Sequence, residues 1–490
     1  MEDAQRLQKQ GKWGEARAAL RGSESLLATA GNPEELAQRC RQVEADLTML
    51  SKLELARLER TSERADHFDN QAADQAYRAA FAEYGLPVLD LDPAVAAERV
   101  VASAIAQELV AALDDWAGFV SRSHDLDLAP DESAPPTLNP ADRAKLLALA
   151  QVTDPDPWRQ QVRDAISRGN QTRLLELSRQ VQVLEQPPAT LVLLAQSSAT
   201  TDLPGATALL RRMQRQHPDD FWINHELGRC LRDMKPPQLE EAIGYFRTAV
   251  ALRPQSPGVY VNLGTTLANK GDIEEALAAF QHAVRLKPDY AAAHSNIAYC
   301  FTCLGQPDQA MKECHEALRL KPDFPCALVN LADALLNKGR PADAIAALDQ
   351  AFRLDPEFAA AGSQLALVLA TFPDPKFRDA KRAVKLAQQA VRRRPNASNW
   401  QILGIAQYRA SDWKAAIAAL NKSMEFQRGG DAGQWLLLAM AHWQLGKKDE
   451  ARHWYDKAVA WMEKNNPKDE ELIRFRAEAE ALFEMKESKK

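Results

Sequence analysis

Apolar residues recur along this chain at intervals of three and four, and no stretch sustains the strict alternation that a half-buried strand requires. Helix is therefore expected almost throughout, and no strand is expected. In the second half the helical pattern is itself periodic. Prolines that follow a short apolar and basic helix end stand at Pro218, Pro254, Pro288, Pro322, Pro356 and Pro395, at intervals of 36, 34, 34, 34 and 39 residues. The same period carries Leu263-Gly264, Ile297-Ala298 and Leu331-Ala332, then Ala276, Ala310 and Ala344, then Phe280, Cys314 and Leu348, and then Ala283, Ala317 and Ala351. Fixed self-similarity of this length is the mark of a repeat architecture.

Each unit reads as two helices. Proline ends the second, because it lacks an amide donor and disfavours helix in the residue before it. Lys270-Gly271-Asp272, Leu304-Gly305-Gln306 and Lys338-Gly339-Arg340 supply the turn between the two, with glycine taking the left-handed conformation that closes a helix. The two longer units place their extra residues in that turn, at Lys235 to Gln238 and at Phe372 to Phe377. After Pro395 the pattern continues through Leu403-Gly404, Ala416, Leu420 and Ser423, then Leu438-Ala439, Ala451, Tyr455 and Ala458.

These positions resemble the tetratricopeptide repeat, in which small residues let two antiparallel helices approach closely and a large apolar residue fills the space between units. The resemblance implies an all-α fold: a right-handed α-solenoid, preceded here by a less regular helical region. The expected organisation is a helical hairpin and long helix over 1–68, a helical region over 69–123, a proline-rich acidic linker over 124–140, degenerate repeats over 141–218, about seven repeats over 219–465, and a capping helix over 466–490. Within the first part, residues 2–28 read as a hairpin. Asn32-Pro33 opens a helix whose apolar residues are Leu36, Cys40, Val43, Leu47 and Leu50, and residues 70–84 and 92–120 read as two further helices. Asn466-Pro467 reads as the N-cap and first turn of the last helix, which sets Leu472, Phe475, Ala479, Leu482 and Phe483 on one side. A solenoid end needs such a cover, since its last repeat has no neighbour.

The order of the Gly11-Lys12-Trp13 hairpin, the Asp74 to Leu86 helix and the Asp154 to Trp158 segment also resembles the region downstream of the kinase domain in large bacterial serine/threonine protein kinases. That resemblance implies a kinase system as partner. The kinase part itself is missing, since the chain has no glycine-rich phosphate loop, no HRD and no DFG.

Composition narrows the function classes. The net charge of −6 over 490 residues, with both signs interspersed, disfavours a general nucleic-acid or anionic-membrane partner. The polar start and the lack of an 18-residue apolar run lead to the expectation of a cytoplasmic protein without a membrane span. Six irregularly spaced cysteines read as reduced thiols. Cys300 and Cys303 form a CxxC near His294, Cys314, His315 and Cys326, but Cys314 takes the place of Phe280 and Leu348 and reads as core. His225-Glu226 and His315-Glu316 start like zinc-protease helices, yet Arg229 and Arg319 stand where a second histidine belongs. Neither metal, cofactor nor catalysis is expected.

The sharper signal is a column of amides. Counting 26 residues back from Pro288, Pro322 and Pro356 aligns Asn262, Asn296 and Asn330 on the first helix of each unit, and in a solenoid of this kind the first helices line the concave face. An amide both donates and accepts, so the column can bind the backbone of an extended peptide, with Thr265, Asn269, Ser295, Tyr299, Asp333 and Asn337 beside it. The alternative is that each asparagine bonds to an adjacent helix. The first helices of these repeats carry no lysine or arginine, unlike the carboxylate-clamp members that hold acidic C-termini. The expected role is a scaffold for other proteins or peptides.

Overall fold

The computed structural model describes residues 16, 18–20, 34–59, 63–64, 67–68, 70–118, 138–180, 185–356, 358–427, 429–466 and 469–487. All but residues 16 and 18–20 of the expected 2–28 hairpin, the Asn32-Pro33 start, Pro467 and nearly all of the 124–140 linker lie outside them. The chain divides into two compact units, Met1–Ala293 and His294–Lys490.

The first unit opens with α1 (Glu34–Glu59), which buries Cys40, Val43, Leu47 and Leu50 at spacings of three and four. Two-residue strands then pair antiparallel, Glu63 with Phe68 and Arg64 with His67, where no strand was expected. The helices α2 (Asn70–Glu83), α3 (Pro93–Ala102) and α4 (Ala106–Ala117) follow. The single helix expected over 92–120 is thus two. Ser103 has extended backbone, its hydroxyl accepts the Ile105 amide at 3.2 Å and meets the Tyr84 hydroxyl at 3.1 Å, and this local bonding replaces a turn of helix.

Trp116 of α4 stacks on Tyr77 and Phe81 of α2, with ring centroids 5.5 and 5.6 Å apart. Its indole donates to Asp74 at 2.8 Å, and the Tyr77 hydroxyl donates to Asp115 at the same distance. Beyond α5 (Pro140–Thr153), Arg163 of α6 (Pro157–Ser167) reaches both Asp114 oxygens at 2.7 and 2.8 Å and Asp154 at 2.7 Å. A buried guanidinium is tolerated only with its charge matched in this way. The residues in the Asp74 to Leu86 and Asp154 to Trp158 segments therefore serve the packing of this unit.

α7 (Gln171–Arg179), α8 (Pro188–Ala199) and α9 (Leu203–Gln216) lead into the regular pairs: α10 (Phe221–Asp233) with α11 (Leu239–Leu252), and α12 (Pro257–Lys270) with α13 (Ile273–Leu286). Each pair closes on a glycine. A Cβ at Gly264 would stand 2.6 Å from the Phe280 ring, and one at Gly228 would stand 3.1 Å from that of Phe246. α14 (Ala291–Cys303) carries the chain from the first unit into the second.

The second unit continues with α15 (Pro307–Leu320), α16 (Pro325–Asn337), α17 (Pro341–Leu354), α18 (Ala359–Thr371), α19 (Ala380–Arg393), α20 (Ala397–Arg409), α21 (Trp413–Gln427), α22 (Ala432–Gln444) and α23 (Lys448–Asn465). The six periodic prolines each stand two residues past the last helical residue of the second helix, and Gly271, Gly305 and Gly339 are left-handed, with φ of 99°, 70° and 68°. α24 (Glu470–Glu487) buries Phe475 and Ala479 and packs Leu472, Leu482 and Phe483 on the core. Its first turn is capped by Asp469, whose carboxylate accepts the Leu472 amide at 3.0 Å, so the helix starts later than the expected Asn466 cap. Among the described residues no helix is long and apolar enough to cross a membrane.

Candidate protein-interaction face

On the first helix of each pair an apolar residue precedes the glycine or alanine of the close approach, and the residue just before that step bonds to the preceding helices at Glu226, Asn262, Asn330 and Gln364. That position is Glu226, Asn262, Asn296, Asn330 and Gln364 in successive pairs.

In the first unit it is closed off. Asn262 is 2% exposed, its Nδ2 lies 3.0 Å from His225 Nε2, and its Oδ1 accepts from Arg232 at 3.1 Å. Burial pushes the His225 pKa down to about 4, so the ring is neutral and its bare Nε2 accepts the amide. Glu226 accepts from Gln196 at 3.1 Å and pairs with Arg229. The last turns of α1 lie over this helix: the Arg57 guanidinium sits 4.0 Å from the centre of the Trp222 ring, and Glu54 accepts the Trp222 indole at 3.1 Å and pairs with Arg253. The Arg253 guanidinium lies on the Phe221 ring at 4.3 Å, and burial lowers its pKa to about 10. Thr265 is half-buried and Asn269 is exposed.

In the second unit the corresponding face is more open. Ser295 is buried, and Asn330 Nδ2 donates to its carbonyl at 2.8 Å and its hydroxyl at 2.9 Å. Asn296 is half-buried, Asn337 is exposed, and Tyr299 is 42% exposed. Gln364 donates to Asp333. Burial pushes the Asp333 carboxyl up to about 6 despite that bond. Burial, helped by a hydrogen bond with Cys303, raises the Tyr299 hydroxyl to about 12. Glu226 and Gln364 were missed in the sequence, although counting one more period from Asn330 reaches Gln364 and the Leu227-Gly228 step marks Glu226.

Cys314 is buried in the core of the second unit, and burial raises it and Cys300 to about 12. His294 pairs with Glu313 at 2.6 Å. Among the described residues no group of three or more His, Cys, Asp or Glu is placed to hold a metal ion.

What this arrangement defines is a stack of antiparallel helix pairs presenting hydroxyl, amide and carboxyl groups from one set of helices, a protein-interaction scaffold in class. The tetratricopeptide-repeat family matches residues 238–301 and 304–368, then 376–432 and 435–465. Residues 238–465 thus carry tetratricopeptide repeats, and the fold class is the all-α solenoid. No curated protein matches it. Among solved structures, it is similar to the Cut9–Hcn1 hetero-tetramer of the APC/C, at 16% identity over 97% of this chain and 88% of that one, with a TM-score of 0.48. A tetratricopeptide-repeat protein of Parabacteroides merdae is similar at 15% identity over 53% of this chain and 99% of that one, with a TM-score of 0.42. The Thermus thermophilus repeat protein TTC0263 is similar at 25% identity over 40% and 97%, with a TM-score of 0.31.

Proposed function

We propose that this chain holds an extended segment of another protein on the face formed by α14, α16 and α18 of the second unit. The observation that carries this reading is the contrast between two sets of first helices. On α10 the groove residues Trp222 and Glu226 are covered by the chain's own helices, whereas on α14 and α16 Tyr299 and Asn337 stand open beside the half-buried Asn296, Asn330 and Asp333. Amides and hydroxyls at repeat spacing can bond an extended backbone, and the exposed ring supplies apolar contact. Asn262 and Ser295, both buried, hold neighbouring helices, while Thr265 and Asn269 lie outside this face.

The test is capture from a cell lysate on the immobilised full chain, set beside a variant carrying Tyr299→Ala and Asn337→Ala. Both side chains are exposed, so the fold is expected to be unchanged. Proteins retained by the native chain and lost from the variant are the expected result; an identical set on both would refute this face as the site.

A second reading is a docking region for a serine/threonine kinase, which the Asp74 to Leu86 and Asp154 to Trp158 segments favour by their resemblance. Kinase motifs in the adjoining coding sequence would support it. Adjoining sequence without them, together with captured proteins that include no kinase, would remove it.

A further inference from the structure

The three helices of the proposed face are almost without charge. α14 reads AAAHSNIAYCFTC, α16 PCALVNLADALLN and α18 AAAGSQLALVLAT, so Asp333 is the one carboxylate among them and there is no lysine or arginine. The hydrogen bond to Asp333 comes from the neutral Gln364 amide, and no cation among the described residues forms an ion pair with it. Lys338, five residues further along the chain, is engaged elsewhere, 3.0 Å from Asp308. A lone, half-buried carboxylate is disfavoured by its surroundings, and burial accordingly holds its pKa near 6. The titratable groups whose electrostatics it reaches are the Tyr299 hydroxyl on α14 and the Cys314 thiol on α15, both neutral at pH 7. Tyr299 brings an exposed aromatic ring into the same field.

Resting on the reading that this face binds a protein segment, we propose that the segment presents one lysine or arginine side chain to Asp333, beside the ring of Tyr299. The occupant is thus an extended stretch of another protein with an isolated basic residue among uncharged ones. Asp333 supplies the opposite charge where desolvation makes it count, the ring of Tyr299 receives the stem or face of the cation, and the neighbouring amides bond the backbone. An acidic segment would meet Asp333 as a like charge and be rejected.

The experiment uses the full chain and four pools of fluorescent decapeptides, capped at both ends. Each pool has a fixed central Lys, Arg, Gln or Glu with random uncharged residues around it, and binding is read by fluorescence polarisation. The Lys and Arg pools are expected to bind about tenfold more tightly than the Gln pool, and the Glu pool more weakly still. Asp333→Asn, which keeps the shape and an acceptor for Gln364, should abolish that preference and leave the Gln-pool affinity in place; Asp333→Lys should shift preference to the Glu pool. Equal binding of the Lys, Arg and Gln pools, or a basic preference that survives Asp333→Asn, would overturn the cation inference while leaving the groove reading intact. Failure of every pool to bind the native chain, or binding unchanged by Tyr299→Ala with Asn337→Ala, would overturn both.

Discussion

Adding one methyl group at Gly264 tests the close helix approach on which the repeats depend. The Cβ of Gly264→Ala would lie 2.6, 2.8 and 2.9 Å from three atoms of the Phe280 ring, which is buried. Replacing a helical glycine with alanine stabilises by about 1 kcal/mol through backbone entropy alone. Overpacking of a well-filled site costs about 1–3 kcal/mol. With three ring atoms inside 3 Å the cost lies toward the upper end of that range, for a net loss of up to roughly 2 kcal/mol. Gly228→Ala meets Phe246 at 3.1 Å, where a few tenths of an ångström of movement suffice, and should come out near neutral. Gly244, exposed on α11 with nothing within 4 Å of its Cβ, isolates the entropic gain and should be stabilised by about 0.5–1 kcal/mol as alanine. The repeats themselves point to the rescue: where Ala298 and Ala332 replace the glycine, Cys314 and Leu348 replace the phenylalanine. Phe280→Leu should therefore restore part of the loss in Gly264→Ala, with a coupling of about 1–2 kcal/mol in the double-mutant cycle. Urea unfolding followed by circular dichroism gives the four stabilities. If Gly264→Ala proves as stable as Gly244→Ala, or the two changes add without coupling, the close-approach argument fails.

Three further outcomes follow from the buried polar groups. The Asp333 pKa is raised in the fold from 3.8 to about 6, so its destabilising effect is present above about pH 6 and is relieved as pH falls toward 3.8. Asp333→Asn should then stabilise the protein at pH 8 by up to about 3 kcal/mol and by much less at pH 4, as measured by urea midpoints at the two pH values. His225 works in the opposite sense: its pKa is lowered to about 4, so the stability it contributes is complete above about pH 6.5 and is lost as pH falls through 4, and His225→Gln should flatten that acid limb. Asn330→Ala removes both bonds to Ser295 and should cost about 1–2 kcal/mol in thermal or urea unfolding, whereas Asn337→Ala, at an exposed site, should stay within about 0.5 kcal/mol of the native chain.

Much of the architecture was legible in the sequence because stacked repeats place most contacts at nearly constant chain separation. The interval of 34 residues is one helix pair, so the glycine or alanine of the first helix, its large partner on the second and the terminating proline all recur in register, as Gly264 and Phe280 show in contact. The asparagine column was equally legible as a pattern, since Asn262 and Asn330 occupy one repeat position.

What that column does was decided by tertiary structure. Asn262 is buried against His225 and Arg232 and Asn330 is turned toward Ser295, while Asp333, one turn along α16, lies half-buried without a cation. The break at Ser103 likewise depended on a bond to Tyr84, and the cover over Trp222 came from Glu54 and Arg57, more than 160 residues away in the chain. A periodic pattern encodes contacts between neighbouring repeats, but burial, and with it the cost of a charge or the direction of an amide, is set by whatever else the chain brings to that place. The sequence by itself determined the helix pairs and their stacking; only the folded chain determined which face was left open, because that depends on contacts that do not repeat.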